Sequence, residues 1–183
     1  MAKENIESTK PKRVRSSAYP AIDLENALKL TERLRGNLGQ GPYARDAMAK
    51  AIGYGSLSGL AGQKIAALAH FGLLSRKANA YQQSTLADRI LHPVSDQDRH
   101  SAILESAQTP KLYTNLITKF RKLALPTLLH NIISREFNIS EKISQKAAED
   151  FKNSLEFAGL LKNGVVIEPV EVNEHASKEQ GQP

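Results

Sequence analysis

The chain has 183 residues, no cysteine and a formal net charge of +6 at pH 7. A chain of this length fits one domain or two small ones, and the lack of cysteine excludes disulfides and thiolate metal sites and fits a reducing cytoplasm. No apolar stretch approaches the roughly 18 residues that a membrane span needs, and residues 1–15 lack the apolar core of a signal peptide. We therefore expect a cytoplasmic protein with no membrane partner.

The positive charge is concentrated in the first half of the chain. Residues 1–22 carry a net charge of +3, residues 23–93 carry +4, residues 94–164 carry +2 and residues 165–183 carry −3. A basic first half suits a polyanionic partner. The alternative is a soluble protein with a basic arm and no such partner.

Residues 1–17 form a basic arm that we expect to be disordered, because their hydrophobic content is low. The next segment, residues 18–93, predicts a compact unit. Asp23 is a good N-cap for a first helix, a second helix runs from about 44 to 52, and Ser56 is a plausible cap for a third helix over 57–71. Gly72 suits the left-handed position that ends this helix. A hairpin around Ala78 and Asn79 and a short helix over 85–91 follow.

The rest of the chain predicts a similar order of elements. A connecting helix spans 94–109, and residues 110–168 form a second unit with helices near 110–120, after Pro126 at a first helical position, and after Ser140 as a cap. Asn163-Gly164 then favours a tight hairpin with a type I′ turn. Residues 169–183 are polar and acidic, and we expect them to be disordered.

One short motif occurs twice, 87 residues apart. Leu68 and Gly72-Leu73-Leu74 align with Leu155 and Gly159-Leu160-Leu161, and each copy ends a helix before an extended stretch. Two copies behind the same order of elements predict two related units. The expected fold is mainly α with small β-hairpins.

Residues 23–92 resemble winged helix-turn-helix DNA-binding domains, particularly in the exit from the third helix at Phe71-Gly72-Leu73-Leu74. The segments Ser17–Leu24, Gly53-Tyr54 and Ser56–Gly59 also resemble a group of uncharacterised bacterial proteins. The resemblance implies tandem winged helix-turn-helix units, and it implies a fold more strongly than an activity.

In such a fold the N-terminal half of the third helix enters the major groove. The base-contacting candidates are then Ser56, Ser58, Gly59 and Gln63, of which Gln63 has the side chain that pairs with adenine. No arginine lies on this helix, so we expect little direct readout. The small residues have a second interpretation, in which they allow close packing against another protein.

The candidates for phosphate contacts are basic residues around that helix. They are Arg45 and Lys50 on the second helix, Arg76 and Lys77 on the hairpin, and Lys12, Arg13 and Arg15 of the arm, which could lie in a minor groove. The alternatives are a solubilising arm and an ordinary polar hairpin. The long helix after Ser140 has mixed charge, so we expect the second unit to support the first or to dimerise.

Nothing in the sequence favours an enzyme, a metal or a cofactor. The five histidines are scattered without metal-site spacing, and the glycine-rich stretches lack the lysine of a phosphate-binding loop. The leading hypothesis is a DNA-binding protein, such as a transcriptional regulator, that contacts double-stranded DNA and can form a homodimer. The alternative is a protein-interaction or dimerisation module with no role on DNA.

Overall fold

A computed structural model describes residues 19–78 and 80–168 of the chain. The arm residues Lys12, Arg13 and Arg15 and the two segments expected to be disordered, 1–17 and 169–183, lie outside the described residues. The described part is mainly helical, with two small antiparallel strand pairs, as the sequence predicts. No helix within it is long and apolar enough to cross a membrane.

The first half contains four helices and one hairpin within the described ranges. In chain order these are α1 (Leu24–Leu38), α2 (Arg45–Ala51), α3 (Gly59–His70), β1 (Leu74–Lys77), β2 (Ala80–Gln83) and α4 (Thr85–Leu91). Asp23 caps α1 as predicted, because its carboxylate accepts a hydrogen bond from the Asn26 N–H at 2.9 Å. Buried leucine and alanine side chains on one face of α1 then anchor it to the core.

The cap of α3 differs from the prediction. Ser58, not Ser56, accepts from the first turn, with its hydroxyl oxygen 3.2 Å from the Ala61 nitrogen. The Ser56 carbonyl instead accepts from the Ser58 N–H at 2.9 Å. This turn occupies residues 56–58, so the helix begins two residues later than the sequence indicates.

The second half again consists of helices followed by a hairpin. Its elements are α5 (Asp96–Gln108), α6 (Lys111–Lys119), α7 (Leu129–Phe137), α8 (Glu141–Phe157), β3 (Leu161–Lys162) and β4 (Val165–Val166). The predicted helix start at Pro126 is wrong. The Pro126 carbonyl accepts from the Leu129 N–H at 3.1 Å, so Pro126 belongs to a turn that precedes α7.

The repeated glycine motif has the same backbone geometry in both copies. Gly72 and Gly159 have φ angles of +72° and +74°. The Leu73 N–H donates to the Leu68 carbonyl at 2.9 Å, and the Leu160 N–H donates to the Leu155 carbonyl at 2.7 Å. This is the pattern of a Schellman motif, in which a left-handed glycine lets the chain leave the helix at once.

The hairpins that follow differ in length. The Ser84 N–H donates to the Leu73 carbonyl and closes the first hairpin, whereas the Ile167 N–H donates to the Leu160 carbonyl and closes a second hairpin that is four residues shorter. In the second, Asn163 and Gly164 have φ angles of +51° and +76°, which confirms the predicted type I′ geometry. The shorter second hairpin offers fewer side chains to a partner.

Each hairpin also pairs with the chain between the first two of the three helices that precede it. Tyr43 lies between α1 and α2 and bridges Tyr81 on β2, with N–H···O distances of 2.6 and 3.0 Å. Ala124 lies between α6 and α7 and bridges Val165 on β4. From α1 to β2 and from α6 to β4, the chain therefore follows the same order: helix, bridging residue, helix, helix, hairpin.

One connected hydrophobic core joins the two halves. The Tyr113 ring of α6 packs edge-on against Phe71 at the end of α3 and against Phe151 of α8, with centroid distances of 5.7 and 5.0 Å. The Leu24 N–H at the start of α1 donates to the buried Ser154 hydroxyl of α8 at 2.9 Å. These contacts hold α8 beside the first half.

Candidate nucleic-acid interface

The predicted base-contacting residues lie on an open surface of α3 and the turn before it. Ser56, Ser58, Gly59 and Gln63 are all exposed. A Cβ placed on Gly59 would meet nothing within 4 Å, whereas one placed on Gly62 would lie 3.7 Å from a guanidinium nitrogen of Arg45. The close approach at Gly62 is therefore to α2, and it brings Arg45 next to α3.

The four predicted phosphate-contacting residues of the first half are exposed and carry unneutralised charge. Among the described residues, none of Arg45, Lys50, Arg76 and Lys77 lies within 4.0 Å of a carboxylate oxygen. The hydrogen bond that Arg76 makes is to the Ala78 carbonyl, at 3.4 Å. These cations are therefore available to an anionic partner.

Two other arginines in the same half, Arg35 and Arg89, are already paired. Arg35 contacts Asp88 at 2.5 Å, and Arg89 contacts both Asp98 and Glu105 at 2.8 Å. The bond to Asp98 is the main cause that raises the pKa of Arg89, and the same bond lowers the pKa of Asp98. These residues join α4 to α1 and α5, so their role is structural.

The bridging residue Tyr43 connects two parts of the basic surface. Arg76 pairs with Tyr81 across the hairpin, and Tyr81 in turn bridges Tyr43, two residues before Arg45. Because neighbouring strands lie about 4.8 Å apart, the backbones of residues 43 and 76 are roughly 10 Å apart. The segment that leads into α2 and Arg45 therefore runs beside the hairpin that carries Arg76.

A cleft between α3 and α8 is the feature that the sequence did not predict. It has a volume of about 710 Å³, and Leu60, Gln63 and Lys64 of α3 face Lys142, Ile143 and Lys146 of α8 across it. We call it the α3–α8 cleft. Lys142, Lys146 and Asp150 recur every four residues, which places them on one face of α8. That this face lies opposite α3 depends on packing between distant segments.

The deepest charged group of the cleft is Asp150. It is buried, and the Lys146 ammonium contacts both of its carboxylate oxygens, at 2.7 and 2.8 Å. Burial raises the pKa of Asp150, and the hydrogen bond from Lys146 opposes this change. Burial also raises the pKa of Tyr19, which lines the same cleft. Asp150 therefore neutralises the charge of Lys146, and it does not neutralise the charges of Lys64 and Lys142.

The histidines and carboxylates do not assemble into a metal centre in the described ranges, where no group of three or more lies close enough to hold an ion. His70 is at the end of α3, and burial lowers its pKa.

A comparison with known proteins found no matching family model, no matching curated protein and no matching solved structure. The function is therefore inferred from the geometry of these surfaces.

Proposed function

We propose that the chain binds duplex DNA through its first half, and that both halves are winged helix-turn-helix units. The first unit would span residues 18–93 and the second 110–168, with 94–109 as the connecting helix. In this proposal α3 enters the major groove, and the hairpin β1–β2 is the wing that contacts the backbone. A transcriptional regulator would use such a surface.

The observation that carries the proposal is the surface around α3. Residues 52–58 connect α2 to α3, the Tyr43–Tyr81 bridge fixes the hairpin, and four cations of α2 and β1 have no ion-pair partner among the described residues. Helix N-termini and unpaired basic side chains are the groups that contact phosphates. The second half repeats the order of elements, but its shorter hairpin presents a single lysine, Lys162, on its strands.

The test is binding of the full chain to a fluorescein-labelled duplex, measured by anisotropy at several salt concentrations. Affinity should fall with salt, because each neutralised phosphate contributes about −0.9 to the slope of log K against log salt. Absence of binding at low salt refutes the proposal.

Charge reversal on the two hairpins supplies a matched comparison. Arg76→Glu should weaken binding to any duplex and reduce the salt slope by about one. Lys162→Glu reverses an exposed charge on the other hairpin and should have no effect. Equal losses from the two variants would show that general charge, rather than the first hairpin, determines binding.

A second candidate function is protein interaction. It is favoured by Leu60, which lies in the first turn of α3 and is 64% exposed. An exposed leucine at this position contributes no hydrogen bond to a base edge. A protein surface would bury it.

A further inference from the structure

The α3–α8 cleft has an exposed aliphatic side chain on each wall. Leu60 of α3 is 64% exposed, and Ile143 of α8 is 41% exposed. A single exposed aliphatic side chain is ordinary on a protein surface. Two exposed aliphatic side chains that face one cleft form a patch suited to burial by a partner. The sequence does not indicate this patch, because Leu60 and Ile143 are more than 80 residues apart in the chain.

The charge of the cleft is positive. Three lysines line it, Lys64, Lys142 and Lys146, against the one carboxylate of Asp150. Asp150 is engaged by Lys146, and in the described part of the chain neither Lys64 nor Lys142 has an ion-pair partner. The Lys64 ammonium lies 5.4 Å from the centre of the Tyr54 ring, which is a cation–π distance.

We propose that the α3–α8 cleft binds an acidic amphipathic helix of a partner protein. Its aliphatic side chains would lie between Leu60 and Ile143, and its carboxylates would lie near Lys64 and Lys142. The cleft is walled by α3 and α8, with Tyr19, Ala21 and Ile22 before α1 completing its lining. A helix laid between α3 and α8 is the helix-in-groove mode of recognition. Nucleic acid is a poorer occupant, because its phosphates would leave both aliphatic side chains without a partner.

A helix bound in the cleft would also affect α3 in the first half. Gln63 lines the same cleft, so a bound helix would cover it. If α3 reads DNA, which is the proposed function, the helix and the duplex would compete. Binding of the helix itself does not depend on DNA binding, and the two are measured in separate assays.

The experiment uses the full chain and two fluorescein-labelled synthetic peptides of about five helical turns. The first has leucine at every third or fourth position and glutamate elsewhere. The second has lysine in place of each glutamate. Anisotropy should show binding of the glutamate peptide and much weaker binding of the lysine peptide, with affinity for the former falling as salt rises.

Variants with matched controls locate the site. Leu60→Ser should weaken binding of the glutamate peptide about 10-fold, because burial of one leucine is lost. Leu128→Ser, on a residue that is 57% exposed at the start of α7, should leave it unchanged. Lys142→Glu should weaken binding several-fold and reduce its salt dependence, whereas Lys111→Glu, on the exposed first residue of α6, should not. All four positions are exposed, so circular dichroism should show folded proteins.

Three outcomes overturn the proposal. They are no binding of the glutamate peptide at about 1 mM, equal binding of the two peptides, and unchanged affinity in Leu60→Ser. If duplex DNA displaces the glutamate peptide while Leu60→Ser binds it normally, the cleft is a nucleic-acid surface instead.

Discussion

The two glycine exits provide a matched pair of substitutions, Gly72→Ala and Gly159→Ala. Both glycines have φ near +70°, and an alanine held in this left-handed region costs roughly 1–2 kcal/mol. At Gly159 the nearest atom to a new Cβ is Cε1 of His100, at 3.9 Å, which is an ordinary contact. We therefore expect Gly159→Ala to lower the free energy of unfolding by about 1–2 kcal/mol, from the backbone alone.

Gly72→Ala adds a packing cost to the same backbone cost. Its Cβ would lie 3.2 Å from Cδ2 of Leu86 and 3.3 Å from Cγ2 of Thr109. Both atoms are side-chain methyl groups, of Leu86 on α4 and of Thr109 at the end of α5, and both must shift by a few tenths of an ångström to accept the new Cβ. Overpacking of this kind costs about 1–3 kcal/mol. The total expected loss is roughly 2–5 kcal/mol.

Urea unfolding followed by circular dichroism measures both values. Where the dependence of the unfolding free energy on urea is unchanged, the shift in midpoint reports the stability difference. The expected order is wild type, Gly159→Ala, then Gly72→Ala. Equal losses would refute the packing argument, and a loss below about 0.5 kcal/mol in both would refute the left-handed geometry.

Three further substitutions test other contacts. Ser154→Ala removes the acceptor of the Leu24 N–H and should lower the unfolding free energy by about 1–3 kcal/mol, whereas Ser140→Ala, at a cap without a side-chain hydrogen bond, should change it by less than about 0.5 kcal/mol in the same urea assay. The folded-state pKa of Asp150 is raised, so its stabilising contribution is present below the ordinary value of 3.8 and is lost as pH rises through the folded value. Asp150→Asn should therefore gain stability relative to wild type as pH increases from about 4 to 8, and a difference independent of pH would contradict the assigned direction. In the duplex assay, Gln63→Ala should change the order of preference among DNA sequences without altering the salt slope, and an unchanged order would exclude Gln63 as a base contact.

Local sequence signals predicted the helices and their ends where the deciding contacts are local. Asp23 and the repeated glycines act through hydrogen bonds within a few residues, so the helix ends they form can be predicted from the sequence. Ser56 and Ser58 are both acceptable caps by residue type, and the turn that selects Ser58 was not visible in the sequence. Pro126 was misplaced for the same reason, since proline suits a turn as well as a first helical position.

The candidate surface divides in a similar way. The exposed basic residues Arg45, Lys50, Arg76 and Lys77 were found from charge and element order. Their unpaired state, in contrast to Arg35 and Arg89, depends on which carboxylates the fold brings near. From its mixed charge, the sequence predicts that the helix after Ser140 supports the first unit or dimerises. The structure places Lys64, Lys142 and Lys146 around one cleft.

Spacing, capping and charge along the chain are enough to predict a mainly helical protein with two hairpins, a basic first half and two copies of one helix exit. Only the folded chain brings α8 onto α1 and across a cleft from α3, through Tyr113 between Phe71 and Phe151 and through Ser154 at the start of α1. Such contacts join residues that are far apart in the chain. For this reason α8, whose mixed charge predicts a supporting role, forms one wall of a cleft in the folded protein.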